Sequence, residues 1–480
     1  MSKSVLSIDA GTTSVRSMVV GDDGRVLSVC ANQFKRSFPA AGYVEQDPEE
    51  MWLVAEKTIH QALERVGIRV GDLSAIGITG QRSTTIVWER ATGRPLSPAV
   101  SWQDQRGAAR AVELQDLGFI TAASVTPAAK MEQILRAIPD GFERMRRNEL
   151  AWGNVDSFLA WRLSGGAVHI TDLTNAVATG YYDYMEKWEW QSDLLKIQGL
   201  DIKFFPRIVD SAGQLGFTSR RAFGAEVMIG AIIGDQQSAA YAQGCLSKGD
   251  GKITFGTSAT CDVNTGEELK MASGSYPLVL WRRGEHRPYC VEGMVITAGA
   301  VFSWLTQLGL LENPAQASAV AASVADSNGV FFLPSLQGLG TPHIVPERRG
   351  TFGGLYLGAT AAHLVRAAIE GVSFRVKEMV ERIYLDAGLP KPSSLRVDGG
   401  AAANDFLMQQ HADVFGLPVE RIQPLEATAY GAALLAGESC GLWEPWSTST
   451  LRTTDRIFEP RWNASQREER FQQWKRSCRL

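Results

Sequence analysis

The sequence predicts an α/β protein whose two halves follow a similar plan, and three observations carry that expectation. Three apolar runs of strand length end on an aspartate beside or near glycine. Val5-Leu6-Ser7-Ile8 leads to Asp9, Met228-Ile229-Gly230-Ala231-Ile232-Ile233 to Gly234-Asp235, and Ser394-Leu395-Arg396-Val397 to Asp398-Gly399. In each half an aspartate-ended strand is followed by a Gly-Thr turn, first Gly11-Thr12-Thr13 and later Gly256-Thr257-Ser258 after Lys252-Ile253-Thr254-Phe255. Stretches of helical periodicity separate these runs. The echo is one of layout rather than a sequence repeat. At 480 residues the chain is too long for one core, and two or three domains are expected.

The elements follow in order. Residues 4 to 30 are short apolar runs split by Gly11 and by Asp22-Asp23-Gly24, a hairpin signature. Residues 48 to 67 open on Pro48-Glu49-Glu50 and continue with Trp52, Val54, Ile59 and Leu63, which predicts a helix with proline and acids in its first turn. Ser74 to Thr79 is the next strand and ends in Gly80-Gln81-Arg82-Ser83. Ile86-Val87-Trp88 and Pro98 to Trp102 are further strands, the second running into Gln103-Asp104, and residues 105 to 165 read as mainly helical. In the second half a helix of small residues follows Asp235, another starts near Asn404, and a polar helix covers Ser465 to Arg476.

Composition narrows the function. The net charge is −4, with 45% hydrophobic and 21% charged residues, so the chain carries no basic stripe and nucleic acid is not an expected partner. No run approaches the roughly 18 apolar residues of a membrane span. The chain starts Met1-Ser2-Lys3-Ser4 and leads directly into a strand without a hydrophobic signal region. The six cysteines are scattered without a C-x-x-C pair, as expected of reduced core thiols in the cytoplasm. The six histidines lack metal-ligand spacing, which argues against zinc.

The stretch Ser7 to Arg16 is the most informative. A turn of glycine and small hydroxyls brings N–H and O–H donors close to an anion. An ionised Asp9 cannot donate to phosphate, so its expected partner is a metal or a water. Together these point to nucleotide phosphates with Mg²⁺, although a Gly-Thr-Thr turn also serves as a plain hairpin. Asp398-Gly399-Gly400-Ala401 opens a helix whose free N–H groups suit a phosphate or the adenine side of a nucleotide, and the same residues also make an ordinary tight strand–helix connection.

The order of these pieces resembles the FGGY carbohydrate kinases, in their glycerol kinase branch, over nearly the whole chain. Ile8 to Arg16 is similar to the family's first phosphate motif, and Tyr43 to Trp52 to its signature helix. Gly80 to Thr85 and Ser101-Trp102-Gln103-Asp104 resemble its acceptor loops, and Gly234-Asp235-Gln236-Gln237 its catalytic strand end. Phe255-Gly256-Thr257-Ser258, Ala298-Gly299-Ala300, Asp398 to Asn404 and Glu426 to Ala433 resemble its nucleotide segments. The resemblance implies two ribonuclease-H-like domains of the actin and hexokinase type around a deep cleft, residues 1–245 on the acceptor side and 246–480 on the nucleotide side. Closure of such a cleft removes water and limits wasteful hydrolysis of ATP. Many members of the family are dimers or tetramers.

The resemblance also implies roles. Asp235 is the expected general base for the acceptor hydroxyl, though its place before Gln236 also suits a helix cap. Asp9, with Asp235, is expected to organise Mg²⁺. Thr12, Thr13, Gly256 and Thr257 are expected to cradle the phosphates of ATP, with Arg16 adding charge during transfer. Gly299, Ser303, Gly400, Ala401 and Asn404 fall on the adenosine. Gln81, Arg82, Ser83, Trp102, Asp104, Asp235, Gln236 and Thr260 are the acceptor set, and Trp102 also has a lesser reading as a core aromatic at a strand end.

The chain departs from the glycerol kinase pattern in the acceptor loops. Ser83 stands where a glutamate is expected, and Thr260 where an aromatic is expected. The expected tyrosine is missing from Ser124 to Lys130, the expected tryptophan just after it is missing from Met131-Glu132-Gln133, and Ser303 replaces a glutamine. Losing a buried charged hydrogen bond costs about 1.5–3 kcal/mol, enough to redirect specificity. The smaller replacements predict an acceptor longer than glycerol, such as a four- or five-carbon polyol or ketose, with glycerol itself as the alternative. An actin-like ATPase of another class has no use for the Gln81-Arg82 and Trp102-Gln103-Asp104 loops. A non-catalytic sugar-binding relative has no use for Asp9 and Asp235.

Overall fold

The computed structural model describes residues 3–480; Met1 and Ser2, at the predicted direct start into the first strand, lie outside the described residues. The chain divides into two compact units. The first runs to Ala242 and takes in Val279–Arg287 and Thr428–Leu451; the second is Gln243–Leu278, Pro288–Ala427 and Arg452–Leu480. The division expected at 245/246 takes no account of the two later segments that join the first unit.

The first unit is built on a six-stranded sheet of β1 (Ser4–Ala10), β2 (Ser14–Gly21), β3 (Val26–Gln33), β4 (Leu73–Gly80), β5 (Ala212–Phe217) and β6 (Met228–Gly234). The strand order is β5-β6-β4-β1-β2-β3. The hairpins β1–β2 and β2–β3 are antiparallel, β4 runs parallel to both β1 and β6, and β5 is antiparallel to β6. β1 is buried at every residue, as a strand covered on both faces must be. The helix α1 (Pro48–Val66) covers β2 and β3; Asp47 caps it by accepting from the Glu49 N–H, and Gly67 closes it in the left-handed region.

A smaller five-stranded sheet carries Thr85–Glu89, Ala99–Val100 and Leu150–Asn154. Leu150–Asn154 corrects the mainly helical reading of residues 105–165: it pairs antiparallel with Thr85–Glu89, directly before the helix α2 (Val155–Ser164). A five-residue buried stretch such as Leu150-Ala151-Trp152-Gly153-Asn154 carries no period that separates a buried strand from a helix, and only its pairing decides.

The second unit repeats the plan. Its strands are β7 (Gly251–Phe255), β8 (Ala259–Gly266), β9 (Tyr276–Val279), β10 (Tyr289–Val295), β11 (Leu395–Asp398), β12 (Val419–Gln423) and β13 (Thr453–Phe458), in the order β9-β10-β8-β7-β11-β12-β13. β7 pairs antiparallel with β8 and β8 with β10; β11 is parallel to β7 and β12; β13 is antiparallel to β12. From β3 to β5 in one sheet and from β10 to β13 in the other, the sequence of antiparallel and parallel pairings is the same. The layout echo thus reflects two copies of one topology, as the predicted fold class requires.

Residues 428–451 join the first unit through close backbone contact. The helix Ala427–Ser439 lies so near β4 that a Cβ on Gly77 would stand 2.2 Å from the Ala432 carbonyl oxygen. The Tyr430 hydroxyl donates to the Gly24 carbonyl (2.9 Å), and the Tyr241 hydroxyl to Glu438 (2.6 Å). Arg283 of the 279–287 segment donates to the same Glu438 at 2.5 Å. Among the described residues no helix is long and apolar enough to cross a membrane.

Candidate active site

In the first unit the register of the sheet assembles the site. Ala10 of β1, Gly80 of β4 and Gly234 of β6 are in register across three adjacent parallel strands. Asp9, Gln81-Arg82 and Asp235 therefore reach the same carboxyl edge of the sheet, the edge where α/β folds bind ligands.

Each of the two aspartates has a guanidinium partner. Arg16 is the cross-strand partner of Asp9 on β2, and its Nη1 stands 3.0 Å from Asp9 Oδ2. Arg82 Nε stands 3.3 Å from Asp235 Oδ1, with the side chains only 13% and 26% exposed. Asp235 begins the helix Asp235–Ala242, and its Oδ1 accepts the Gln236 N–H at 2.8 Å, so the capping contact and a solvent-facing carboxylate coexist.

Side-chain hydrogen bonds tie the Gly11–Thr13 turn to the loops that carry Gln81 and Trp102. Trp102 Nε1 donates to Thr12 Oγ1 at 3.1 Å, and Gln46 Nε2 donates to the Thr12 carbonyl at 2.9 Å. Gln81 Nε2 donates to Gln46 Oε1, Thr84 Oγ1 donates to Gln81 Oε1, and Trp102 N–H donates to Thr84 Oγ1. Trp102 is thus partly exposed and anchored by its ring nitrogen rather than lost in a core. Gln81, by contrast, is buried with both ends of its amide committed, so it supports the loop from behind.

Asp104 departs furthest from its expected acceptor role. It is fully buried, and its oxygens accept from the Val44 and Arg106 N–H groups and from the Arg106 guanidinium. Burial pushes the carboxyl up, but these donors outweigh it and hold it below the usual aspartate range. It shapes the turn after Trp102. Ser83 is buried in the left-handed region (φ 61°), and its hydroxyl donates to the Ala178 carbonyl at 2.6 Å. Thr13 is exposed.

Sequence reasoning missed two supports of these loops. Gln46 stands in the Tyr43 to Trp52 stretch, but its bridging role gave no local signal, since its partners lie 34 and 35 residues away. Lys130 is fully buried beneath the Trp102 loop; its Nζ donates to the Ser101 carbonyl (2.8 Å) and the Val125 carbonyl (3.2 Å). Burial pulls its ammonium down to about 7, against the opposing pull of Asp104.

In the second unit the backbone does the equivalent work. The turn Gly256-Thr257-Ser258 is held by its own Gly256 N–H to Ser258 carbonyl bond, and Gly256 and Thr257 are exposed. The Gly299 N–H donates to the Gly256 carbonyl (3.1 Å), and the Ala298 and Ala300 N–H groups donate to the Thr257 carbonyl. A Cβ on Gly299 would stand 2.3 Å from the Gly256 oxygen, and one on Gly399 (φ 87°) 2.6 Å from the Phe255 oxygen. Both positions therefore require glycine, and three of the four expected nucleotide segments meet at the Phe255–Thr257 turn. A Cβ on Gly400 would meet no protein atom within 4 Å, which leaves open room there for a ligand.

Ala401 lies beside this junction, 3.3 Å from where a Gly299 Cβ would fall. The Asn404 side-chain oxygen caps the helix Asp405–Phe415 by accepting the Leu407 N–H and also accepts from Ser318, so its amide nitrogen is the part left for a ligand. Ser303 is exposed on the helix Ala300–Gln307. Thr260 stands on β8 of this unit, opposite Thr254 and Met294, and is buried.

Comparison with known proteins agrees with this arrangement. The model of the FGGY carbohydrate kinase N-terminal domain matches residues 4–242, and that of the C-terminal domain residues 251–440. The chain is 38% identical to the glycerol kinase of Bordetella parapertussis, over 99% of this chain and 96% of that one. It is 39% identical to the glycerol kinase of Aromatoleum aromaticum, over 98% and 97%. The crystal structure of Plasmodium falciparum glycerol kinase with ADP superposes with a TM-score of 0.91 at 26% identity, covering 100% of this chain and 98% of that one. With family models matching both units and relatives aligned end to end, the chain belongs to the FGGY family of carbohydrate kinases and is a phosphotransferase that acts on an alcohol group.

Proposed function

We propose that this kinase transfers the γ-phosphoryl group of ATP to a hydroxyl of a polyol or sugar longer than glycerol. The observation that carries the reading is Ser83: where the resemblance expects a glutamate beside Arg82, a small side chain stands with its hydroxyl engaged by the Ala178 carbonyl at 2.6 Å. The charged acceptor-side groups are then Arg82 and Asp235, and the space of a longer side chain is released. A second reading, glycerol itself, is favoured by the glycerol kinases at 38% and 39% identity.

In this reading the Asp235 carboxylate takes the proton of the acceptor hydroxyl. The acceptor oxygen forms the new P–O bond as the bond to the departing ADP breaks, and a carboxylate within hydrogen-bond reach suffices as base because the hydroxyl acidifies during transfer. Arg82 donates to acceptor hydroxyls, and the partly exposed Trp102 offers a flat face to C–H groups. In the first unit Thr12 and Thr13 are suited to phosphate oxygens, with Arg16 contributing positive charge near Asp9, and in the second unit the Gly256-Thr257 turn is suited to them in its own right.

The donor set fits Mg²⁺. Asp9 and Asp235, whose carboxylates reach one sheet edge, are the residues that would hold the ion, since hard oxygen donors suit Mg²⁺. Mg²⁺ typically uses one or two carboxylates plus substrate phosphates and water. When bound, it neutralises developing phosphate charge. Glycine at 299, 399 and 400 supports a nucleotide approached by backbone. A coupled kinase assay over glycerol, four- and five-carbon polyols and ketoses tests the proposal: the highest kcat/KM is expected on a longer acceptor, and efficient turnover of glycerol with neglect of the others overturns it.

A further inference from the structure

Behind the Asp235 strand end lies a buried polar cluster that the reaction itself does not use. Asp172 is fully buried and caps the short helix α3 (Leu173–Val177), accepting from the Thr174 and Asn175 N–H groups, the Asn175 amide (2.9 Å) and the Ser211 hydroxyl (2.7 Å). The Thr174 hydroxyl donates to Asp172 Oδ1 at 2.8 Å and accepts the N–H of Gly234, the last residue of β6, at 2.7 Å. The Ser211 carbonyl accepts the Ile232 N–H of the same strand at 3.1 Å. At the far end of α3 the Ala178 carbonyl accepts from Ser83. One carboxylate thus organises two attachments to β6, immediately before Asp235, and a helix that also holds the loop after Arg82.

The geometry points to Asp172 and Thr174 as positioning residues that set the end of β6, and with it the placement of the Asp235 carboxylate relative to Arg82 and the acceptor. The inference rests on the reading of Asp235 as the base. The physical reason is that the Gly234 N–H belongs to the residue immediately before the reacting side chain, and a fully buried threonine hydroxyl is its partner. A buried network with every member engaged rigidifies what it holds. Small displacements of a reacting group are expensive: misplacement by about 1 Å costs up to about a hundredfold in rate.

The test is Thr174→Val, which keeps the shape and removes the hydroxyl, beside Thr174→Ser, which restores it, and Asp235→Ala as a reference. Steady-state kinetics with the best acceptor of the panel are measured well below each variant's melting temperature. The expected result is a fall in kcat of about tenfold to a hundredfold for Thr174→Val, with KM for acceptor and ATP nearly unchanged. Thr174→Ser is expected to recover most of it, and Ser211→Ala, a milder lesion, to show a smaller fall in kcat. Wild-type kcat in Thr174→Val beside an inactive Asp235→Ala overturns the positioning role alone. The same holds if kcat falls only in step with thermal unfolding, or if serine fails to rescue. An active Asp235→Ala overturns the base reading, and the positioning role with it.

Discussion

In the first unit the candidate site groups are side chains tied to other side chains: Arg16 to Asp9, Arg82 to Asp235 and Trp102 to Thr12, with Gln81 bonded to Gln46 in support behind them. In the second unit they are turns tied by main-chain bonds, with Gly256, Gly299 and Gly399 packed backbone to backbone. The two sheets share one topology, so the difference is not one of fold. It matches two kinds of recognition. A nucleotide common to a whole family can be held by N–H groups and close backbone approach, which many sequences supply so long as glycine is kept. A particular acceptor must be read by side chains whose identity varies, and here Ser83 of the first unit departs from the glycerol kinase pattern. The first unit is accordingly where specificity is expected to be altered, and the second where catalysis is expected to be lost through backbone change.

The largest effect expected on the side-chain half is that of Asp235→Asn. Loss of a general base lowers kcat by about a hundredfold to ten-thousandfold, read in the coupled assay, with the melting temperature near that of the parent. Stability should also report the buried charges of this unit. Asp156 is fully buried beside Asp172, and burial pushes its carboxyl up to about 7. The folded state then holds a proton that the unfolded chain has released. Stability from this group is complete below about pH 4 and is lost progressively as pH rises to about 7. Asp156→Asn should flatten the stability curve between those limits in chemical unfolding experiments; an unchanged slope would place the pH dependence elsewhere.

On the backbone half, Gly299→Ala drives a Cβ to 2.3 Å from the Gly256 oxygen. A cost of about 1–3 kcal/mol in stability is expected, with KM for ATP raised. Gly400→Ala separates the fold from the ligand: its Cβ meets no protein atom within 4 Å, so KM for ATP should rise while the melting temperature holds. A lowered melting temperature with unchanged KM would break the contrast between the units. The smallest effect is expected of Trp102→Phe, which keeps the ring face and loses the bond to Thr12. Such a bond contributes about 1 kcal/mol, or about fivefold in kcat/KM for the acceptor.

While the strand Leu150–Asn154 waited on its pairing, the sequence alone determined the aspartate-ended strands of both halves, the Gly-Thr turns and the family. These are local: a buried run and a glycine-bearing turn announce themselves within ten residues because strand burial and main-chain dihedrals are set by neighbouring residues. Tertiary structure decided which polar groups are free to act. Asp104 and Gln81 look like site residues in the chain and turn out to be fully engaged supports. Asn404 spends its side-chain oxygen on a helix cap, and Arg16 is paired to Asp9 by strand register. Lys130, Thr174 and Asp172 carry no local mark at all, and Gln46 is marked only as part of the Tyr43 to Trp52 stretch, with nothing to show its partners. The return of 279–287 and 428–451 to the first unit is equally invisible in sequence, because a close approach such as Gly77 to Ala432 joins residues far apart in the chain. A hydrogen bond across such a separation depends on how the elements pack, and composition and periodicity say nothing of its partner.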